Sequence, residues 1–179
     1  GTEVGTKIVL SQSSNLILTS PMNLTEFKGK LYCLAFYYLN LFEAGYAIIE
    51  SDGTEVGTKI VHKIDDSVSG PGLLLFFLKK TADKLYFSTD NSVDNRVFDL
   101  WATDGTSSGT YKVKTISYNT YINRLEFAVV NQRLYFQSYS SSNLPSQWWS
   151  TDGTEQGTYE IKLANSKAKL DFTSAQKFN

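Results

Sequence analysis

Apolar and polar residues alternate along short runs of this chain, and the runs recur in a fixed order. Leu31-Tyr32-Cys33, Leu85-Tyr86-Phe87 and Leu134-Tyr135-Phe136 mark one of them. Val9, Val61, Val113 and Ile161 mark a second, flanked by Lys7, Lys59, Tyr111 and Tyr159. A period of two around a fixed aliphatic is what a half-buried strand writes, and no long helical pattern interrupts it. Ahead of the second kind of run stands one stretch that occurs four times: GTEVGTKIV from Gly1, SDGTEVGTKIV from Ser51, TDGTSSGTYKV from Thr103 and TDGTEQGTYEI from Thr151. Its first glycines are 52, 52 and 48 residues apart. That fits the ~50-residue spacing of a four-stranded propeller blade rather than a helical repeat.

The turn can be read residue by residue. Asp52, Asp104 and Asp152 are placed to accept hydrogen bonds from backbone amides two residues on, and Gly53, Gly105 and Gly153 take positive φ at no steric cost. Gly57, Gly109 and Gly157 are read as a second positive-φ position. The threonine after each is β-branched and suits the start of an outgoing strand. Each DGTxxGT is therefore predicted to be a hairpin loop. The first full unit adds strands over 23–27, 31–38 and 46–50. The second adds 73–78, 85–89 and 97–102, and the third adds 124–130, 134–139 and 147–150. Short strands joined by tight loops make a meander. The expectation is all-β: a β-propeller-like array of four-stranded antiparallel blades, a partial propeller of about three and a half blades. One repeat domain covers 1–179, with units 1–52, 53–104, 105–152 and 153–179. Both ends fall inside a repeat, which suggests a fragment of a longer array with an uncovered sheet face at each end.

The run Asp99-Leu100-Trp101-Ala102-Thr103-Asp104-Gly105-Thr106, followed by Gly109-Thr110, resembles the ELWxxDGTxxGT repeat family of large secreted and surface proteins of bacteria. Ala47-Ile48-Ile49 and Gln147-Trp148-Trp149 stand where the other copies have the ELW triplet, and Cys33 replaces the family's Phe in the first LYF strand. The resemblance covers essentially the whole chain. It implies a propeller-like, non-catalytic repeat domain of an exported protein, at the cell surface or outer membrane, with the type IX route as its suggested path. It implies no particular ligand.

Composition narrows the partners. Of 179 residues 41% are apolar, enough for a core, and 11 Tyr, 11 Phe and 3 Trp favour strands. With 17 basic and 18 acidic residues spread along the chain, no electrostatic footprint for nucleic acid or an anionic membrane exists. The longest apolar run, Leu73 to Leu78, is far short of the ~20 residues of a membrane helix, so direct membrane insertion is not expected. The single cysteine, Cys33, cannot form an intramolecular disulfide and reads as a small buried apolar residue.

Candidate chemistry is sparse. His62, the one histidine, aligns with Lys114 and Lys162 and is expected on a solvated face, without a second ligand to complete a metal site. The loop from Ser88 to Asn95 carries Asp90 and Asp94, oxygen ligands of the kind calcium takes, but lacks the alternating carboxylates of a dedicated loop. A solvated turn outweighs a calcium site there. Trp148, beside the Ser-rich loop that starts at Tyr139, is a possible glycan-stacking residue, outweighed by the reading of both Trp148 and Trp149 as core on opposite faces of a strand. No cofactor and no catalytic group is expected. The function expected is binding or scaffolding, through protein partners or adhesion at the bacterial surface. The alternative is a carbohydrate-binding or carbohydrate-processing propeller.

Overall fold

The computed structural model describes residues 16–40, 42–64, 78–90, 97–117, 125–138 and 147–162. These form twelve strands and, among the described residues, no helix. The strands are β1 Ile17–Phe27, β2 Lys30–Asn40, β3 Glu43–Ser51, β4 Lys59–Lys63, β5 Leu78–Lys80, β6 Leu85–Asp90, β7 Val97–Thr103, β8 Thr110–Ser117, β9 Leu125–Val130, β10 Arg133–Ser138, β11 Gln147–Thr151 and β12 Tyr159–Ile161. They make three four-stranded antiparallel sheets, ordered β1-β2-β3-β4, β5-β6-β7-β8 and β12-β11-β10-β9. Every neighbour in a sheet is the neighbour in sequence, which is the expected meander. The DGT turn joins the third strand to the fourth, so each sheet takes three strands from one sequence unit and its last strand from the next.

The shortest hairpins follow from backbone sterics. Lys28 and Gly29 have φ of 52° and 75°, and Asn131 and Gln132 have 49° and 63°. Two consecutive positive φ values form the two-residue turn whose twist matches that of paired strands. The Gly29 amide adds a hydrogen bond, donated to Glu26 Oε1 at 3.0 Å.

Alternation then sorts the side chains between layers. Tyr32, Leu34, Ile48 and Val61 of the first sheet share one cluster with Leu78, Leu85 and Phe87 of the second. The other face of the second sheet presents Tyr86, Phe98, Leu100, Ala102 and Val113 to Leu134 and Phe136 of the third. The sheets are therefore layered face to face, with the second in the middle. Stacked rings line the seams: Phe87 on Trp101 at 5.9 Å, and Phe136 on Trp149 at 6.4 Å.

Three expectations need correction. The outward faces are not bare. On the first sheet Cys33, Ala35, Tyr37, Ala47 and Ile49 are buried, with Leu16, Leu18, Leu39 and Ile60 packed against them. On the third sheet Ala128, Gln137, Trp148 and Ser150 are buried on the side turned away from the second. His62 is not on a solvated face either. A register shift between Ile48 and Ile49 leaves Val61 as an extra residue, so His62 pairs with Ile48 and its ring meets Trp101 at 5.3 Å between the first two sheets. A bulge breaks the period of two on which the expectation rested. The third correction concerns the second glycine of each turn, described below. Cys33 is a buried free thiol, and burial raises its pKa.

Candidate functional site

The recurring polar residues converge in the turns, so the turns are the place to look for chemistry. In the first, Asp52 Oδ1 accepts the Thr54 amide at 2.9 Å and the Thr54 hydroxyl at 2.7 Å. Thr54 Oγ1 in turn accepts the Gly57 amide at 2.9 Å. The Thr58 hydroxyl donates to Thr54 O at 2.6 Å, which commits its proton. Ser51 Oγ, 2.7 Å from Thr58 Oγ1, must therefore be the donor of that pair, and it accepts the Gly53 amide at 3.1 Å. The second turn repeats this with Thr103, Asp104, Thr106 and Thr110. The third repeats it with Thr151, Asp152, Thr154 and Thr158. Hydrogen bonds from Thr54 and Thr106 hold the Asp52 and Asp104 carboxyls below the usual carboxylate range, and the Thr154 amide and hydroxyl do the same for Asp152.

The expectation for the first glycine holds, and that for the second fails. Gly53, Gly105 and Gly153 have φ of 89°, 96° and 88°, whereas Gly57, Gly109 and Gly157 are not at positive φ. Their need for glycine is steric. A Cβ at Gly57 would stand 2.0 Å from Asp52 Oδ1, and at Gly109 or Gly157 it would stand 2.1 Å from the corresponding aspartate oxygen. The carboxylate that ties the turn lies directly over the second glycine, a through-space contact that spacing alone does not display.

The first glycine also meets the next layer. A Cβ at Gly105 would come within 2.5 Å of Tyr32 Oη from the first sheet, and one at Gly153 within 2.9 Å of Tyr86 Oη from the second. Tyr32 and Tyr86, each from a Leu-Tyr strand, thus seat their phenols against the turn of the following sheet. Secondary contacts support the seat: Lys28 Nζ donates to Asp104 O at 3.0 Å, and Tyr111 Oη donates to Gly153 O at 2.9 Å. On the third turn Arg133 binds Asp152 Oδ2 at 3.2 Å and Gly157 O at 2.7 Å. Tyr32 donates to the buried Glu50 carboxylate at 2.6 Å, with Lys30 Nζ on the other oxygen at 2.7 Å. Burial pushes the Glu50 pKa up, but the Lys30 and Tyr32 hydrogen bonds outweigh it and hold the group below its ordinary value.

The other candidates are not brought together. Asp90 ends β6, paired with Phe98. Asp94 and Tyr139 lie outside the described residues. Trp148 is 4% exposed and offers no open ring face for a sugar. Among the described residues no three His, Cys, Asp or Glu side chains gather as metal ligands. Sequence reasoning missed the hydroxyl before each aspartate and the role of the two threonines. Their signal was present: Ser51, Thr103 and Thr151 occupy one aligned position, as do Thr54, Thr106 and Thr154. No family model matches the chain, and no curated protein is found to be similar to it.

Proposed function

We propose that this chain is a non-catalytic binding or scaffolding module, part of a β-propeller-like array on an exported bacterial surface protein of the ELWxxDGTxxGT type. The observation that carries the reading is that the recurring polar residues are spent within the protein. The turn aspartates bind their own threonines, and the tyrosines seat against neighbouring turns, so the repeat invests its polar chemistry in cohesion between sheets. What such a scaffold presents to others is its loops and edges, the usual carriers of recognition. A protein partner or adhesion target at the cell surface suits a surface of balanced charge. The carbohydrate reading has lost its aromatic platform at Trp148. The test is a pull-down from native bacterial membranes alongside a glycan array. Specific recovery of a protein with a blank array supports the proposal, and binding to a defined glycan with no protein recovered overturns it.

A further inference from the structure

We propose that the Gly53 turn is a docking socket for a lysine-leucine-tyrosine strand of a further sheet of this kind. The contact it would make already exists twice in the molecule. Tyr32 fills the space over Gly105, and Tyr86 with Lys84 fills the space over Gly153, their nearest atoms 2.5 and 2.8 Å from where a Cβ would be. Over Gly53, in a turn of the same hydrogen-bond pattern and the same positive φ, no atom of the described residues lies within 4 Å. A shape the fold uses twice as a receptor is therefore open at the third occurrence.

The tip of the same turn points to the same partner. In the three described turns the aligned tip positions are Val56, Ser108 and Gln156. Of these, the open turn alone carries an aliphatic, and Val56 is 96% exposed. A lone exposed valine is ordinary. Beside an empty phenol seat, it supplies the apolar contact that an incoming aromatic side chain needs. The outward face of the first sheet is already buried, so the docking takes place at the turn end of the sheet. The occupant is a strand whose lysine and tyrosine, two residues apart, reach the same glycine, as Lys84 and Tyr86 do at Gly153.

This proposal rests on the binding-module reading and names the chemistry of one partner. The probe is a peptide with the sequence of residues 84–89 of this chain, titrated into the isotope-labelled full chain while backbone amide resonances are followed by NMR. Shifts should be confined to the amides of Gly53, Thr54 and Val56. The same peptide with Tyr86→Ala, or the full chain with Val56→Lys, should bind about tenfold more weakly, the equivalent of one buried contact. No shift at millimolar peptide, equal shifts with the alanine peptide, or shifts shared among all three turns would each overturn the socket. A membrane pull-down that recovers a partner equally well with the Val56→Lys chain would also overturn it, and would leave the binding function standing.

Discussion

The seam between the first and second sheets and the seam between the second and third are built on one plan, yet they treat their polar atoms differently. In the first, the Tyr32 hydroxyl donates to Glu50 at 2.6 Å and Trp101 Nε1 donates to Thr89 Oγ1 at 3.0 Å. In the second, Tyr86 Oη, Ser88 Oγ and Trp149 Nε1 are buried with no hydrogen-bond partner among the described residues. Register explains the tyrosines: Tyr32 lies opposite Glu50, whereas Tyr86 lies opposite Ala102. The stacking of ring on ring and phenol on glycine is thus set by shape, and hydrogen bonding is added only where the opposite residue permits it. An unsatisfied buried hydroxyl costs stability, so the second seam is expected to be the weaker one.

The largest effect should come from closing the seat itself. Gly105→Ala places a methyl against Tyr32, which is anchored by Glu50, at a φ that side chains rarely adopt. We expect a loss of about 3 kcal/mol in urea unfolding, against about 1 kcal/mol for Gly53→Ala, where only the backbone term applies. Equal losses would mean that the phenol contact contributes nothing. Next, Glu50→Ala should destabilise by roughly 2 kcal/mol, because Tyr32 and Lys30 lose a buried acceptor together.

The seams differ most sharply under removal of a single oxygen. Tyr32→Phe should cost about 1 kcal/mol, whereas Tyr86→Phe should be neutral or slightly stabilising, since the hydroxyl it removes has no partner to lose. A loss of similar size in both, seen in parallel thermal melts, would erase the distinction between the seams.

Much of this was legible in the residues, for reasons that also mark where legibility stopped. The aspartate-to-amide bond two residues on and the positive φ of Gly53, Gly105 and Gly153 are local consequences of sequence, and both were readable. The alternation in Leu85-Tyr86-Phe87 separates Leu85 and Phe87 toward one seam and Tyr86 toward the other. The glycine beneath each aspartate was misread, because its constraint is a contact across five residues rather than a backbone preference. His62 was misplaced because a bulge is invisible in a two-residue period. The phenol seats depend on how separate sheets stack, which no single strand encodes.

Acid should reveal the smallest effect. Burial lowers the His62 pKa from its usual 6.5, so below that value the unfolded chain takes up a proton that the folded ring refuses, and stability falls. Glu50, Asp104 and Asp152 have pKa values lowered by folding. Their contribution is full above the ordinary carboxylate range and is lost as pH drops through their lowered values. The melting temperature should therefore decline in two stages on acidification, and His62→Gln should flatten the first only. A single stage unaffected by that substitution would contradict this assignment.

Amide hydrogen exchange at the three first glycines tests most directly whether the recurring turn is a seat between sheets. All three amides donate to the same kind of hydroxyl, from Gly53 to Ser51, Gly105 to Thr103 and Gly153 to Thr151, but only the latter two lie buried under a tyrosine of the preceding sheet. Exchange at Gly105 and Gly153 should be slower than at Gly53 by about tenfold or more, in keeping with exchange that waits for the sheets to part. Equal rates at all three, or slowest exchange at Gly53, would show that the turns are protected by their own hydrogen bonds and that the seat over them is not a cohesive contact.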